Sequence, residues 1–313
     1  MDSFFTAFDT VFPIFVLMGV GYYLRKAGLL DEESLNKLNT LAFKVFLSVS
    51  LYYNIIKADI QEVFDGRLLL FAVISQFFIV AVGLSVAIMT EKTNKRKGAL
   101  SHGIFHTNFV IFGTLIGTSL CGEGKIGAIS LLIATIVPLQ NILSVIVLEH
   151  YRQNSKVQIK KMVMQVITNP YVIAAILGFA TQLLRIHFPP VVEEIILSVG
   201  RCGTPIALLV MGGLFNFGVI RQNIRATAIG CATRLILIPV ILLPIATLFD
   251  FTRTGMIGLM SIFIAPSAVT SFNLACAMDS DSDLASQLVV FTSLFSLGTI
   301  FGWIFILSHM HII

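Results

Sequence analysis

Hydrophobic positions in this chain neither alternate at a strand period nor form one helical stripe. They run in long blocks separated by short polar stretches. Ten such blocks lie near residues 10–25, 39–57, 68–90, 99–120, 126–148, 170–187, 193–217, 226–248, 255–276 and 285–308. A helix needs about 20 apolar residues to cross a bilayer core, so the pattern predicts an all-α membrane protein of ten transmembrane helices. Leu29 to Leu38, acidic at its start and mixed after it, predicts a short amphipathic surface helix entering the second span. His150 to Lys161 is polar and too short for a domain, and reads as a linker with a surface helix.

Two blocks are interrupted at matching places. The fourth carries His-Thr-Asn-Phe-Val-Ile-Phe-Gly from His106 to Gly113, and the ninth carries Ala-Pro-Ser-Ala-Val-Thr-Ser-Phe-Asn from Ala265 to Asn273. Lipid cannot hydrogen-bond an exposed backbone, so such breaks survive only where they line protein or a cavity. Paired breaks in two halves point to a transporter's binding site. Sliding the second half by 157 residues brings the spans into register, with Pro13 on Pro170, Leu51 on Leu208, Gly98 on Gly255 and Lys44 on Arg201. Five spans per half is an odd number, which predicts a 5+5 inverted repeat. The expected divisions are residues 1–149 for the first repeat, 150–167 for the linker and 168–313 for the second repeat.

Basic residues set the expected orientation. Thirteen lie in one set of loops (Arg25, Lys26, Lys37, Lys92, Lys95, Arg96, Lys97, Arg152, Lys156, Lys160, Lys161, Arg221, Arg225). Five lie in the other (Lys57, Arg67, Lys125, Arg185, Arg253). The first set, with the linker, is expected in the cytoplasm and both termini outside, in a multi-pass protein of the cell membrane.

Composition agrees: 56% of 313 residues are apolar and 12% charged, outside the soluble balance. Four cysteines stand singly, without metal or disulfide spacing. Asp2 and Asp9 replace the basic start of a cleavable signal. There is no HExxH, GxSxG or P-loop, and the aspartates Asp279, Asp281 and Asp283 lack the glycine and closing glutamate of a calcium loop. No catalytic residue, metal site or cofactor is expected.

Candidate chemistry gathers at the breaks. Pro266 has no N–H and clashes with the preceding turn, breaking the ninth helix, and Gly113 is expected to mark the break in the fourth. Ser267, Thr270, Ser271 and Asn273 offer polar groups near freed backbone. Asn108 can both donate to a carboxylate and accept, with Thr107 and His106 beside it. His106 is a candidate for proton coupling or a plain buried donor. Gln140 and Asn141 follow Pro138, where a kink could aim them inward. Three cations fall within spans. Lys44 can snorkel to the surface. Arg201 either snorkels or approaches the cavity. Arg234 lies about 12 Å deep, with no acid at its depth, leaving a carbonyl, a polar network or a substrate anion as partner.

Three stretches carry a resemblance: Ala265 to Ala275 with Leu284 to Ser293, Ile136 to Glu149, and Phe105 to Gly113. On these the chain resembles the auxin efflux carrier family, among the bile-acid, arsenite and riboflavin transporter-like folds, over essentially its whole length. The resemblance implies a panel domain and a crossover domain, with the fourth and ninth spans crossing at the substrate. It is nearest to compact prokaryotic permeases associated with small organic anions such as malate or malonate. Ser48 and Leu115 stand where the family usually has proline, so the first break is expected to be less sharp than the second. The expected function is secondary transport of a small mono- or dicarboxylate by alternating access, with an ion channel or receptor as the alternative. The expected partners are that anion and the lipid bilayer, with no nucleic acid; coupling to H+ or Na+ and a homodimer are left open.

Overall fold

The computed structural model describes residues 2–57, 65–152, 164, 167–168, 170–214 and 223–313. Most of the expected linker lies outside the described residues. Among those described the protein is helical throughout and carries no strand, only one isolated bridge between Thr107 and Ser267. The helices are α1 (Asp2–Lys26), α2 (Glu32–Leu41), α3 (Leu47–Lys57), α4 (Gly66–Thr90), α5 (Asn94–Phe105), α6 (Phe109–Cys121), α7 (Gly127–Tyr151) and α8 (Pro170–Leu183). They continue as α9 (Pro190–Arg201), α10 (Gly203–Gly213), α11 (Ile224–Ala232), α12 (Ile238–Ala246), α13 (Arg253–Ile264), α14 (Val269–Ala277) and α15 (Ser282–His309).

Among the described residues five helical stretches are long and apolar enough to cross a membrane: α4, α7, α9 with α10, α11 with α12, and α15. Leu70, Ile74 and Met89 on α4, and Ile176 and Leu183 on the shorter α8, stay well exposed. In water such surface would be an aggregation hazard; against lipid tails it costs nothing.

Local sequence sets the helix ends. Asp31 accepts from Ser34 N at 2.7 Å and starts α2 three residues later than the charge pattern suggested. Thr93 and Thr252 cap α5 and α13 in the same way, and Asp281 caps α15. The acidic run Asp279 to Asp283 is thereby accounted for: Asp279 also pairs with Lys95, and Asp281 lies 3.5 Å from Arg96. Lys95 holds the Asp279 carboxyl below the ordinary carboxylate range.

Among the described residues two π turns interrupt otherwise α-helical spans, at Ala42–Phe46 before α3 and at Thr233–Leu237 between α11 and α12. They carry Lys44, which is exposed, and Arg234, which is not. Such insertions collect at functional positions.

Packing sorts the helices into two groups. In one, α1 packs on α10, and α3 packs on α8 and α9. In the other, α4 packs on α5, α5 on α7, α6 on α13, and α11 and α14 on α15. Each group draws helices from both halves of the chain. The groups meet where α1 touches α15 and α6, α7 touches α3 and α8, and α6 touches α10. The α1–α10 contact is backbone on backbone: a Cβ on Gly21 would sit 1.9 Å from Leu209 O, and one on Gly212 1.9 Å from Met18 O. Only glycine permits so close an approach.

Candidate functional site

The interruption between α5 and α6 comprises His106, Thr107 and Asn108, and that between α13 and α14 comprises Ala265 to Ala268. Both are complete, so the first is not the milder break that its missing proline suggested. Nor does Gly113 mark it. Gly113 lies inside α6, where a Cβ would press to 2.6 Å from the Phe109 ring, so it is glycine for packing.

The two breaks satisfy each other. Asn108 N donates to Pro266 O at 2.8 Å, and Ala268 N donates to His106 O at 3.0 Å. This short antiparallel pairing supplies partners that a helix would have supplied, which is why neither break needs water or lipid. Side chains complete the account. Thr107 N reaches Gln140 Oε1 at 3.4 Å, and Gln140 Nε2 donates to Thr107 Oγ1 at 3.0 Å and Gln76 Oε1 at 3.1 Å. Ser267 N donates to Thr292 Oγ1 at 3.0 Å, and Ser267 Oγ to Gly103 O.

The carbonyl ends of the half-helices are also held. Gln76 Nε2 donates to Phe105 O at 3.3 Å at the end of α5. At the end of α13, Arg234 Nε donates to Ala265 O at 2.8 Å and Arg234 Nη2 to Ile262 O. Arg234 is fully buried and is the largest fully buried side chain described. A cation at a helix C-terminus answers its partial negative charge. Of the three partners that sequence left open for Arg234, the carbonyl is the one present. Its Nη1 has no hydrogen-bond partner among the described residues.

His106 Nδ1 lies 3.1 Å from His102 Nε2 and 3.3 Å from Ser271 Oγ, with both imidazoles buried. Asn108 is 3% exposed and sits at the start of α6, yet its side chain makes no capping bond. Its amide instead faces Met211 Sδ at 3.5 Å, a weak acceptor supplied by the other helix group.

The structure therefore brings together His106, Thr107, Asn108, Gln140, Pro266, Ser267, Ser271 and Arg234. Asn141 and Thr270 are half-buried on α7 and α14, outside this hydrogen-bond network. Asn273 lies on α14, and its side chain is outside the described residues. Sequence reasoning missed Gln76, His102 and Thr292. A lone glutamine in the apolar third block was the available signal for the first.

A family profile described as Membrane transport protein matches residues 6–304. The chain is 22% identical over 300 residues to an uncharacterized transporter of Methanothermobacter thermautotrophicus, covering 94% of this chain and 96% of that protein. With the profile spanning nearly its whole length, this chain belongs to the Membrane transport protein family, the auxin efflux carriers, and is a membrane transporter.

Proposed function

We propose that the chain is a secondary carrier that binds a small mono- or dicarboxylate where the two broken helices meet, and moves it by alternating access. The observation that carries this reading is Asn108. At a junction where nearly every polar group has a firm partner, its amide is held, among the described residues, only by a thioether across the boundary between the helix groups. A carboxylate would be a better acceptor. The unpartnered Nη1 of Arg234 adds a buried positive charge near the second break, which suits an anion.

A ten-span 5+5 inverted repeat is supported by helix starts at a near-constant offset. The caps Asp65 and Asn223 stand 158 residues apart, Thr93 and Thr252 159, and Ile126 and Asp281 155. Gln76 and Arg234, which hold the two half-helix ends, are also 158 apart. In this reading α1–α3 with α8–α10 form the panel, and the other group holds the crossover. Charge bias puts both termini outside and the linker in the cytoplasm.

In this reading the adjacent imidazoles of His102 and His106, 3.1 Å apart, are the candidate pair for H+ coupling. The test is counterflow of labelled malate in proteoliposomes, with malonate and succinate as competitors. Transient accumulation abolished by a dicarboxylate, and faster uptake under an imposed pH gradient, is the expected result. Flux without counterflow would indicate a channel, and dependence on Na+ alone would assign the histidines to packing.

A further inference from the structure

A second polar feature lies away from the paired breaks. Between α3, α6 and the α9–α10 junction is a cavity lined by Ser50, Asn54, Thr114, Thr118 and Thr204. Thr114 and Thr118 lie 6 and 10 residues along α6 from Asn108, about 9 and 15 Å at the helical rise. The cavity thus lies along the C-terminal half of α6, between Thr114 and Glu123, and its inner end is about 9 Å along the helix from Asn108.

Its mouth holds one two-pronged ion pair. Arg201 Nε lies 3.0 Å from Glu123 Oε1, and Nη2 lies 2.6 Å from Glu123 Oε2. A second carboxylate, Glu194, stands 3.7 Å from Nη1. Glu123 is presented between Gly122 and Gly124, whose φ angles of 91° and 74° only glycine adopts readily. Arg201 ends α9, in one helix group, whereas Glu123 follows α6, in the other. The pair therefore bridges the same boundary that Asn108 and Met211 bridge deeper in the protein. Arg201 also holds the Glu123 carboxyl below the ordinary range, which favours its ionised form.

We infer that Arg201 is an outer anion-capture residue, and that Glu123 is a built-in carboxylate that occupies it until a substrate carboxylate displaces it. This inference rests on the carrier reading above. The planar fork of a guanidinium accepts any carboxylate in the same two-pronged way, so a small dicarboxylate is a direct competitor for Glu123. Both partners are half exposed, and an ion pair so placed is weak enough to exchange. Displacement frees the link between the helix groups as the anion enters a cavity lined by hydroxyl and amide groups. Arg201, which sequence left between snorkelling and facing a cavity, stands half exposed at the mouth of this one.

The test is malonate counterflow in proteoliposomes for wild type, Arg201→Gln, Arg201→Lys and Glu123→Gln. Arg201→Gln is expected to raise KM about ten-fold or more, acting on KM rather than Vmax, with Arg201→Lys intermediate. Glu123→Gln removes the competitor and is expected to lower KM several-fold. A surface ion pair of purely structural role would move neither KM. Wild-type counterflow with unchanged KM in Arg201→Gln and Glu123→Gln overturns this inference and leaves the carrier reading standing. Should Arg201→Gln fail to fold, an unchanged or raised KM in Glu123→Gln overturns it alone. Absence of wild-type counterflow with malate, malonate and succinate overturns the carrier reading and this inference together.

Discussion

Arg234→Met is expected to reduce transport at least about 100-fold while leaving a folded protein. Methionine fills much of the same volume and removes a buried charge whose desolvation is costly, so part of the loss is returned. What it cannot do is bond Ala265 O and Ile262 O. Each orphaned buried carbonyl costs roughly 1–3 kcal/mol, so the net destabilisation is expected near 2 kcal/mol. Transport is expected to suffer more, because these bonds anchor the end of α13, which leads into the second break, to the π turn that carries Arg234, and a shift of about 1 Å is enough to spoil binding geometry. Arg234→Lys keeps the charge but not the fork, and is expected to retain partial activity. Counterflow rates with thermal unfolding in detergent check both arms. Wild-type transport in Arg234→Met would remove this residue from the site.

Gly212→Ala is the larger expected effect on folding. The new Cβ would sit 1.9 Å from Met18 O and 2.5 Å from Met18 C, both rigid backbone atoms, where ordinary contact begins near 3.4 Å. Helices α1 and α10 must separate by about 1.5 Å, and α1 cannot retreat freely because it also packs on α15 and α6. Overpacking of this kind costs about 3 kcal/mol or more. The same substitution at Gly298, where a Cβ meets nothing within 4 Å, is the control. Fluorescence-detected size-exclusion after heating is expected to show Gly212→Ala lost at a much lower temperature than Gly298→Ala. Equal midpoints would contradict the close α1–α10 approach.

How much of this was legible in sequence depends on whether the cause was local. The helices follow the apolar blocks because their boundaries are set locally, by caps such as Asp31, Thr93, Thr252 and Asp281. The second break was legible because Pro266 removes its own donor. The first was visible only as an excess of polar residues. Its cause is tertiary: Pro266 O, Gln140 and Gln76 must all be in place before Thr107 and Asn108 can leave the helix. Glycine misled at Gly113, since the same residue type that permits a break also makes room for a ring.

Partners distant in sequence were the least legible. Gln76 and Phe105 are 29 residues apart, and Arg201 and Glu123 78 apart, with no motif linking them. Arg234 was identified by its depth, with a carbonyl among its expected partners, but which carbonyls was not legible, because a backbone acceptor leaves no mark in a sequence. The proposed repeat gives a signal that was not used. At the 158-residue offset of the α4 and α11 caps, Gln76 falls on Arg234, and each bonds a carbonyl at the end of a half-helix.

If the paired breaks bind the substrate, Asn108 is the residue whose loss shows it most directly. Equilibrium binding of labelled malonate to purified wild type and Asn108→Ala, alongside their unfolding temperatures, separates recognition from folding. Binding at least ten-fold weaker in Asn108→Ala, about 1.4 kcal/mol, is expected, with an unfolding temperature close to wild type. Equal affinity in the two proteins would contradict this and move the binding site away from the breaks.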